Sequence, residues 1–132
     1  MTVLTDNGLL YEMMQEVTQV NKDNGWHEDG RTMGDEVALL HSEVSEMLEE
    51  FRDHRLVTVF EYNSKKPDVF IDERPEIDGV LGKPIGLPSE AADVLVRLLD
   101  TCDRYDIDLF HEWRQKVDFN KTRGHKHGNK AL

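Results

Sequence analysis

The sequence predicts an all-α protein: a bundle of about four helices with a short, hairpin-like β insertion between the second and third. Two observations lead to this fold class. Apolar residues recur at intervals of three and four in four segments, as they do along one face of a helix. Residues 56–86 break this pattern with β-branched runs and a cluster of prolines and glycines. The 132 residues suffice for one domain with a hydrophobic core, so 1–132 is predicted to be a single domain.

The first two helices are predicted from their spacing and their end signals. The first runs from Asp6 or Asn7 to Lys22 and ends at the Asn-Gly pair before a polar loop. The second starts near Thr32, where Asp35 completes a capping box, and continues to about His54. Its apolar stripe is flanked by acids that lie on one side of the helix: Glu36, Glu43, Glu46 and Glu50.

The insertion and the last two helices follow. Within 56–86, residues 57–60 and 69–71 are predicted to be short strands separated by 63–67. The third helix, from Pro88 to about Tyr105, is apolar around most of its circumference, which is typical of a buried helix. Its one polar stripe consists of Glu90, Asp93, Arg97 and Asp100. The fourth helix has Asp108 as its N-cap and extends to about Lys121.

Composition excludes several classes of partner. With 27 acidic and 16 basic residues, the chain carries a formal charge of -11, which disfavours a nucleic-acid polymer or an anionic membrane as the main partner. No apolar run approaches the roughly 20 residues of a spanning helix, and the N-terminus has no signal-peptide pattern. The single cysteine, Cys102, is expected to be a small core residue. We therefore expect a cytoplasmic protein, with a basic, mobile tail at about 122–132.

Two pairs of acids on neighbouring helices predict a metal site. Glu43 and Glu46 are three residues apart, as are Glu90 and Asp93, and this spacing puts both members of each pair on one helix face. The second pair interrupts an otherwise apolar helix, where an uncompensated carboxylate is costly. A hard cation would offset the repulsion among the four, which indicates Mg²⁺, for which Mn²⁺ can substitute. Glu49, Glu50, Glu73 and Glu76 are expected to be surface acids.

Such a cation indicates phosphate chemistry. Mg²⁺ can bridge phosphate oxygens and orient an attacking water, and a carboxylate partly free of it can accept the proton, with Glu43 and Glu46 both candidates. Lys116, Asn120 and Arg123 fall on one side of the fourth helix and its exit, where they could hold the outer phosphates. Trp26, in the loop after the first helix, could stack on a base, although a packed structural tryptophan is an equal alternative.

These residues resemble the MazG-like all-α nucleotide pyrophosphohydrolases. The resemblance covers most of the chain outside the insertion: ALLHSEVSEMLEEFRD, GLPSEAADVLVRLLD, YDIDL and KVDFNKTRGHKHGNK. The family's metal-binding ExxE and ExxD motifs correspond to Glu43 with Glu46 and to Glu90 with Asp93. Its later lysine, asparagine and arginine correspond to Lys116, Asn120 and Arg123.

The resemblance implies a helical bundle that forms a dimer or tetramer and hydrolyses a nucleoside triphosphate to the monophosphate and pyrophosphate. Two departures stand out: Ser42 occupies the position of a frequent second glutamate, and the insertion at 56–86 is longer than usual. Two alternatives remain open. One is hydrolysis of phosphoribosyl-ATP, and the other is a catalytically silent acidic module that binds a metal or a protein.

Overall fold

The computed structural model describes residues 3–26, 30–62, 69–70, 76–77 and 79–124 and is mainly helical. Within these residues it has four α-helices, as predicted, with a small β region between the second and third. The helices are α1 (Val3–Asp23), α2 (Met33–Arg52), α3 (Leu87–Arg104) and α4 (Leu109–Lys121). The predicted tail at about 122–132 lies outside the described residues from 125 onward.

The predicted N-caps of α2 and α4 are confirmed. Thr32 Oγ1 accepts a hydrogen bond from the Asp35 backbone at 3.2 Å, and the Asp35 carboxylate accepts one from the Thr32 backbone at 2.8 Å. This reciprocal pair satisfies two backbone donors that a helix start leaves without partners. At α4, the Asp108 carboxylate accepts a hydrogen bond from the His111 backbone at 3.1 Å.

Both α2 and α3 end in a left-handed residue that is not glycine. His54 has a φ of 60°, and the next amide, of Arg55, donates to the Glu50 carbonyl at 3.0 Å. Asp106 has a φ of 54°, and the Ile107 amide donates to the Cys102 carbonyl at 2.8 Å. Such six-to-one hydrogen bonds reverse the chain sharply. They end α2 two residues, and α3 one residue, before the predicted limits.

Among the described residues between α2 and α3 there are five short strands: β1 (Val59–Glu61), β2 (Val69–Phe70), β3 (Glu76–Ile77), β4 (Val80–Leu81) and β5 (Lys83–Ile85). The antiparallel pairing of β1 with β2 confirms the hairpin-like insertion. The strand β5, which sequence reasoning missed, pairs with the other edge of β1, so that Glu61 lies opposite Lys83. The predicted connection at 63–67 lies outside the described residues. The strands β3 and β4 form a separate antiparallel pair.

A close backbone approach joins the end of α2 to the start of α3. Gly86 has a φ of +110°, and a Cβ at this position would lie 2.2 Å from the Val57 carbonyl oxygen. Next to it, the Leu87 amide donates to the Arg55 carbonyl at 2.9 Å. Only glycine combines this φ with this approach. The junction therefore fixes where α3 begins relative to the exit from α2.

The chain divides into two compact units, 29–98 and 1–28 with 99–132, and the division falls within α3. The first unit contains the sheet and the buried Val59. The second has a core that includes Met14, Leu99 and Cys102, all buried, and Cys102 is a free thiol as expected. The single-domain organisation stays a prediction. No helix among the described residues is long and apolar enough to cross a membrane.

The middle of α3 is less covered than its composition predicts. Leu95 and Val96 are 40% and 38% exposed, and Val44 and Leu48 of α2 are 49% and 48% exposed. Full burial of α3 is therefore not observed within one chain. The exposed side chains are large and apolar, and such surface is typical of an interaction site.

Replacing Gly86 with alanine is expected to destabilise the protein by about 2 kcal/mol or more, because it combines left-handed backbone strain with a clash against a carbonyl. Urea unfolding measures the effect. The matched control is Gly34→Ala in α2, where the added Cβ would meet only Thr32 Oγ1 at an ordinary 3.5 Å. Equal stability of the two variants would contradict the role assigned to the junction.

Candidate metal centre

Three of the four predicted carboxylates converge. Glu43 of α2 and Glu90 and Asp93 of α3 each offer an oxygen, and these oxygens all lie within 4.8 Å of one another. Glu43 and Glu90 are half-buried and Asp93 is more exposed. The four-residue segment from Glu90 to Asp93 is almost one helical turn, so both side chains can reach the same point. We call Glu43, Glu90 and Asp93 the acidic triad.

Glu46 borders this triad. Its oxygens do not belong to the mutually close group, but its carboxyl is near enough to those of Glu43 and Glu90 for both to affect its pKa. In the same way, Glu90 and Glu43 both affect the pKa of Asp93. The four predicted residues therefore make one connected cluster, in which Glu46 and Asp93 are exposed and Glu43 and Glu90 are half-buried.

Mutual repulsion and partial burial raise the pKa values of the cluster. Burial and the charges of Asp93 and Glu46 raise the pKa of Glu90 to about 7. Burial and Glu43 raise the pKa of Glu46. Burial and Glu43 also raise the pKa of Asp93, while the hydrogen bond from Glu90 and the positive charges of Lys83 and Arg97 oppose that rise. A carboxyl with a raised pKa lies where its negative charge is insufficiently offset by solvent or by positive charge.

One positively charged side chain, that of Arg97, is paired with a member of the triad. Arg97, one helical turn after Asp93 on α3, donates from Nε to Glu43 Oε1 at 3.0 Å. Their side chains are only 17% and 14% exposed, so solvent screens this pair less than a surface ion pair. Arg97 thereby holds the Glu43 carboxylate toward α3. The sequence placed Arg97 on the polar stripe of α3 but gave it no role.

Glu50 is not the surface acid that the sequence predicted. It is buried, and Arg55 donates to it from two nitrogens, with Nη2 to Oε1 at 2.9 Å. The hydrogen bond from Arg55 lowers the pKa of Glu50 despite its burial. The reversal of the chain at His54 brings Arg55 back over the last turn of α2, which spacing along a helix does not reveal. Glu49 is exposed as expected. Glu73 and the side chain of Glu76 lie outside the described residues.

A cavity of about 390 Å³ adjoins the acidic cluster. Glu46 and Glu90 belong to the acidic cluster and also line the cavity, so the cavity opens directly onto the carboxylates. The cavity also contains two cationic side chains, Arg55 and Lys83. Its remaining lining residues are Glu49, Glu50, Glu61 and Ile85. Lys83 was missed from the sequence because it lies on β5, where only the pairing with β1 brings it toward the acids.

The other predicted site residues belong to the unit of 1–28 and 99–132. Lys116 and Asn120 are exposed on α4, and Arg123 lies just beyond it with its guanidinium 5.7 Å from the centre of the Phe119 ring. Trp26 is 42% exposed, and its carbonyl accepts a hydrogen bond from Arg104 Nη2 at 3.0 Å. A role for these four toward the acidic cluster stays a prediction.

The residues present fit a hard divalent cation. All the candidate ligand atoms are carboxylate oxygens, which Mg²⁺ and Mn²⁺ prefer, and three acidic side chains leave room in the shell for water or phosphate oxygens. A cation at this point would also offset the repulsion that raises the pKa values of Glu90, Asp93 and Glu46. Comparisons with protein-family models, curated proteins and solved structures find no match to this chain.

Mg²⁺ is expected to stabilise the protein, and Glu90→Gln to remove most of that effect. At about ten times its Kd, the cation would contribute about 1.4 kcal/mol to the free energy of unfolding. Glu90→Gln takes one charge out of the cluster, so it should stabilise the metal-free protein and weaken the response to Mg²⁺. Thermal unfolding with EDTA or Mg²⁺ measures both. The control, Glu12→Gln on the exposed side of α1, should respond as the parent does.

The metal-free protein is expected to lose stability as the pH rises from about 4.5 to about 7, through Glu90. In this window folded Glu90 keeps a proton that an unfolded glutamate, with its pKa near 4.5, has already released. The folded state then binds more protons than the unfolded state, so raising the pH favours unfolding. Urea unfolding across this range in EDTA measures the slope. Parallel curves for the parent and Glu90→Gln would contradict the assignment.

Proposed function

We propose that this protein is a Mg²⁺-dependent nucleoside triphosphate pyrophosphohydrolase, which converts a (deoxy)nucleoside triphosphate to the monophosphate and pyrophosphate. The observation that carries the proposal is the convergence of Glu43, Glu90 and Asp93 from two helices, with candidate ligand oxygens within 4.8 Å of one another. The raised pKa values of this cluster and its opening onto a cavity of about 390 Å³ support a site for a cation and a bound molecule.

The substrate class follows from charge. An anionic molecule would be repelled by the acids of the cavity unless a cation lay between them, so the ligand is one that carries a divalent ion with it. Nucleoside triphosphates satisfy this requirement. The resemblance of the two acidic motifs to MazG-like pyrophosphohydrolases points to the same class, and it favours cleavage between the α and β phosphates.

The proposed reaction needs a nucleophile, a proton acceptor and a stabilised leaving group. A water oxygen attacks the α-phosphorus, the bond from that phosphorus to the bridging oxygen breaks, and pyrophosphate leaves with the electron pair. Mg²⁺ held by Glu43, Glu90 and Asp93 would neutralise phosphate charge and lower the pKa of the attacking water. Arg97 positions Glu43 by its ion pair, which keeps that ligand from turning away.

We assign the general base to Glu46 rather than Glu43. Glu43 accepts a hydrogen bond from Arg97 and is a candidate metal ligand of the triad. Glu46 lies beside the triad, is exposed, and has a pKa raised by burial and by Glu43. A carboxylate with a raised pKa is a stronger proton acceptor than an ordinary one.

The remaining parts of the proposal concern substrate contacts and assembly. Lys116, Asn120 and Arg123 would bind the outer phosphates, and Trp26 would stack on the base. A homodimer or homotetramer is supported by the exposed apolar side chains of α2 and α3, including Val44, Leu48 and Leu95. A nucleotide-clearing role in the cytoplasm is the setting that fits this activity.

Purified protein is expected to release pyrophosphate from at least one member of a panel of (deoxy)nucleoside triphosphates in the presence of Mg²⁺. Glu46→Gln should lower turnover about 100-fold or more, because the proton acceptor is lost. Asp93→Asn should lower it by a similar factor and also weaken Mg²⁺ binding, because one ligand loses its charge. A coupled pyrophosphate assay and calorimetric titration with Mg²⁺ provide the two measurements.

The matched control is Glu12→Gln, which changes the same functional group on the exposed side of α1. It should retain the parent's turnover. Turnover unchanged by Glu46→Gln and Asp93→Asn would reject the assigned site. Mg²⁺ binding without hydrolysis of any nucleotide would instead favour a silent cation-binding module.

A further inference from the structure

The strand β5 presents a cation to the acidic cluster. Side chains alternate along a strand, so Lys83 and Ile85 lie on the same face of β5, and both line the cavity next to the cluster. Across the sheet, Lys83 lies opposite Glu61, which also lines the cavity.

Lys83 differs from the other two cations around the cluster. Arg97 is held by Glu43, and Arg55 is held by Glu50 and by Asp53, with Nη2 to Asp53 Oδ2 at 3.0 Å. Lys83 is exposed, and among the described residues its ammonium group has no carboxylate partner within ion-pair distance. An exposed lysine ammonium has three donors that can turn toward a ligand in the cavity.

We propose that Lys83 binds the phosphate chain of the substrate at the cavity side of the acidic triad. This inference rests on the proposed function and extends it: the β insertion supplies a substrate-binding residue in addition to its structural role. A phosphate chain that binds the triad through a divalent cation still carries negative charge on the side that faces away from the triad. Lys83 lines the same cavity as Glu46 and Glu90, and a lysine ammonium is suited to phosphate as a mobile point charge.

The charged side chains that line the cavity define where Lys83 would meet a ligand. Glu46 and Glu90 belong to both the cluster and the cavity wall, while Lys83 and Arg55 line the cavity without belonging to the triad. A molecule in the cavity thus meets Glu46 and Glu90 beside the triad, and elsewhere along the wall it meets two cations together with the acids Glu49, Glu50 and Glu61. Because Arg55 is already paired with two carboxylates, Lys83 is the cation that can move to meet a ligand.

Calorimetric titration with inorganic pyrophosphate in excess Mg²⁺ tests the proposal directly and does not require turnover. Lys83→Gln is expected to weaken pyrophosphate binding about tenfold, because a charge-assisted hydrogen bond is lost. Lys83→Arg should restore most of the affinity. Titration with Mg²⁺ alone should show equal or tighter binding to Lys83→Gln, because a positive charge near the acids has been removed.

Kinetics with a hydrolysed triphosphate give the second readout. Lys83→Gln should raise KM about tenfold and leave kcat within a few-fold, since the side chain contacts phosphate and not the attacked phosphorus. Lys83→Met, which keeps the apolar stem, serves as a second neutral variant. The control Lys22→Gln removes the same charge from the end of α1 and should match the parent.

The outcomes separate this inference from the proposed function. A parent that binds Mg²⁺ and pyrophosphate but hydrolyses no nucleotide, with binding weakened by Lys83→Gln, would support the role of Lys83 and reject the hydrolase. If the parent hydrolyses triphosphate, and both Lys83→Gln and Lys83→Met have the same KM and the same pyrophosphate affinity as the parent, the role of Lys83 is overturned. A parent that binds no pyrophosphate in excess Mg²⁺ would overturn it as well.

Discussion

The repulsion among carboxylates that share one small volume is the interaction on which the site depends. Glu43, Glu90 and Asp93 approach within 4.8 Å, although each would be better solvated alone. Burial, together with this repulsion, raises the pKa of Glu90 to about 7. Groups whose charged form is disfavoured in this way occur more often at functional sites than elsewhere. The proposed cation would offset this cost.

The surrounding cations offset this repulsion only in part. Arg97 is paired with Glu43, and Arg55 is paired with Glu50 and Asp53, while the pKa of Glu90 is still raised to about 7. Both pairs keep charged side chains in fixed orientations. The positive charge of Lys83 reaches Asp93 but is not held by any described carboxylate. The result is a site in which two arginines are paired with carboxylates and one exposed lysine lies beside the acids.

The position of the two acidic pairs depends on backbone geometry at the junction of α2 and α3. The left-handed His54 ends α2, and Gly86 allows the backbone before α3 to touch the Val57 carbonyl. Between these points, β1 and β5 pair so that Lys83 lies opposite Glu61. The β insertion thus serves two purposes: it sets the start of α3, and it brings a cation to the cavity.

The sequence by itself determined the helices, their caps and the candidate ligands, because these depend on local spacing and on side chains within one turn. It predicted Thr32 and Asp108 as caps and both acidic pairs. Only the tertiary structure decided that Glu50 is buried with Arg55, that Arg97 binds Glu43 and that Lys83 faces the cavity. These contacts join residues through a chain reversal, between helices and across a sheet. Hydrophobic periodicity carries no information about such distances, since it reports which face of an element is apolar and not which elements meet.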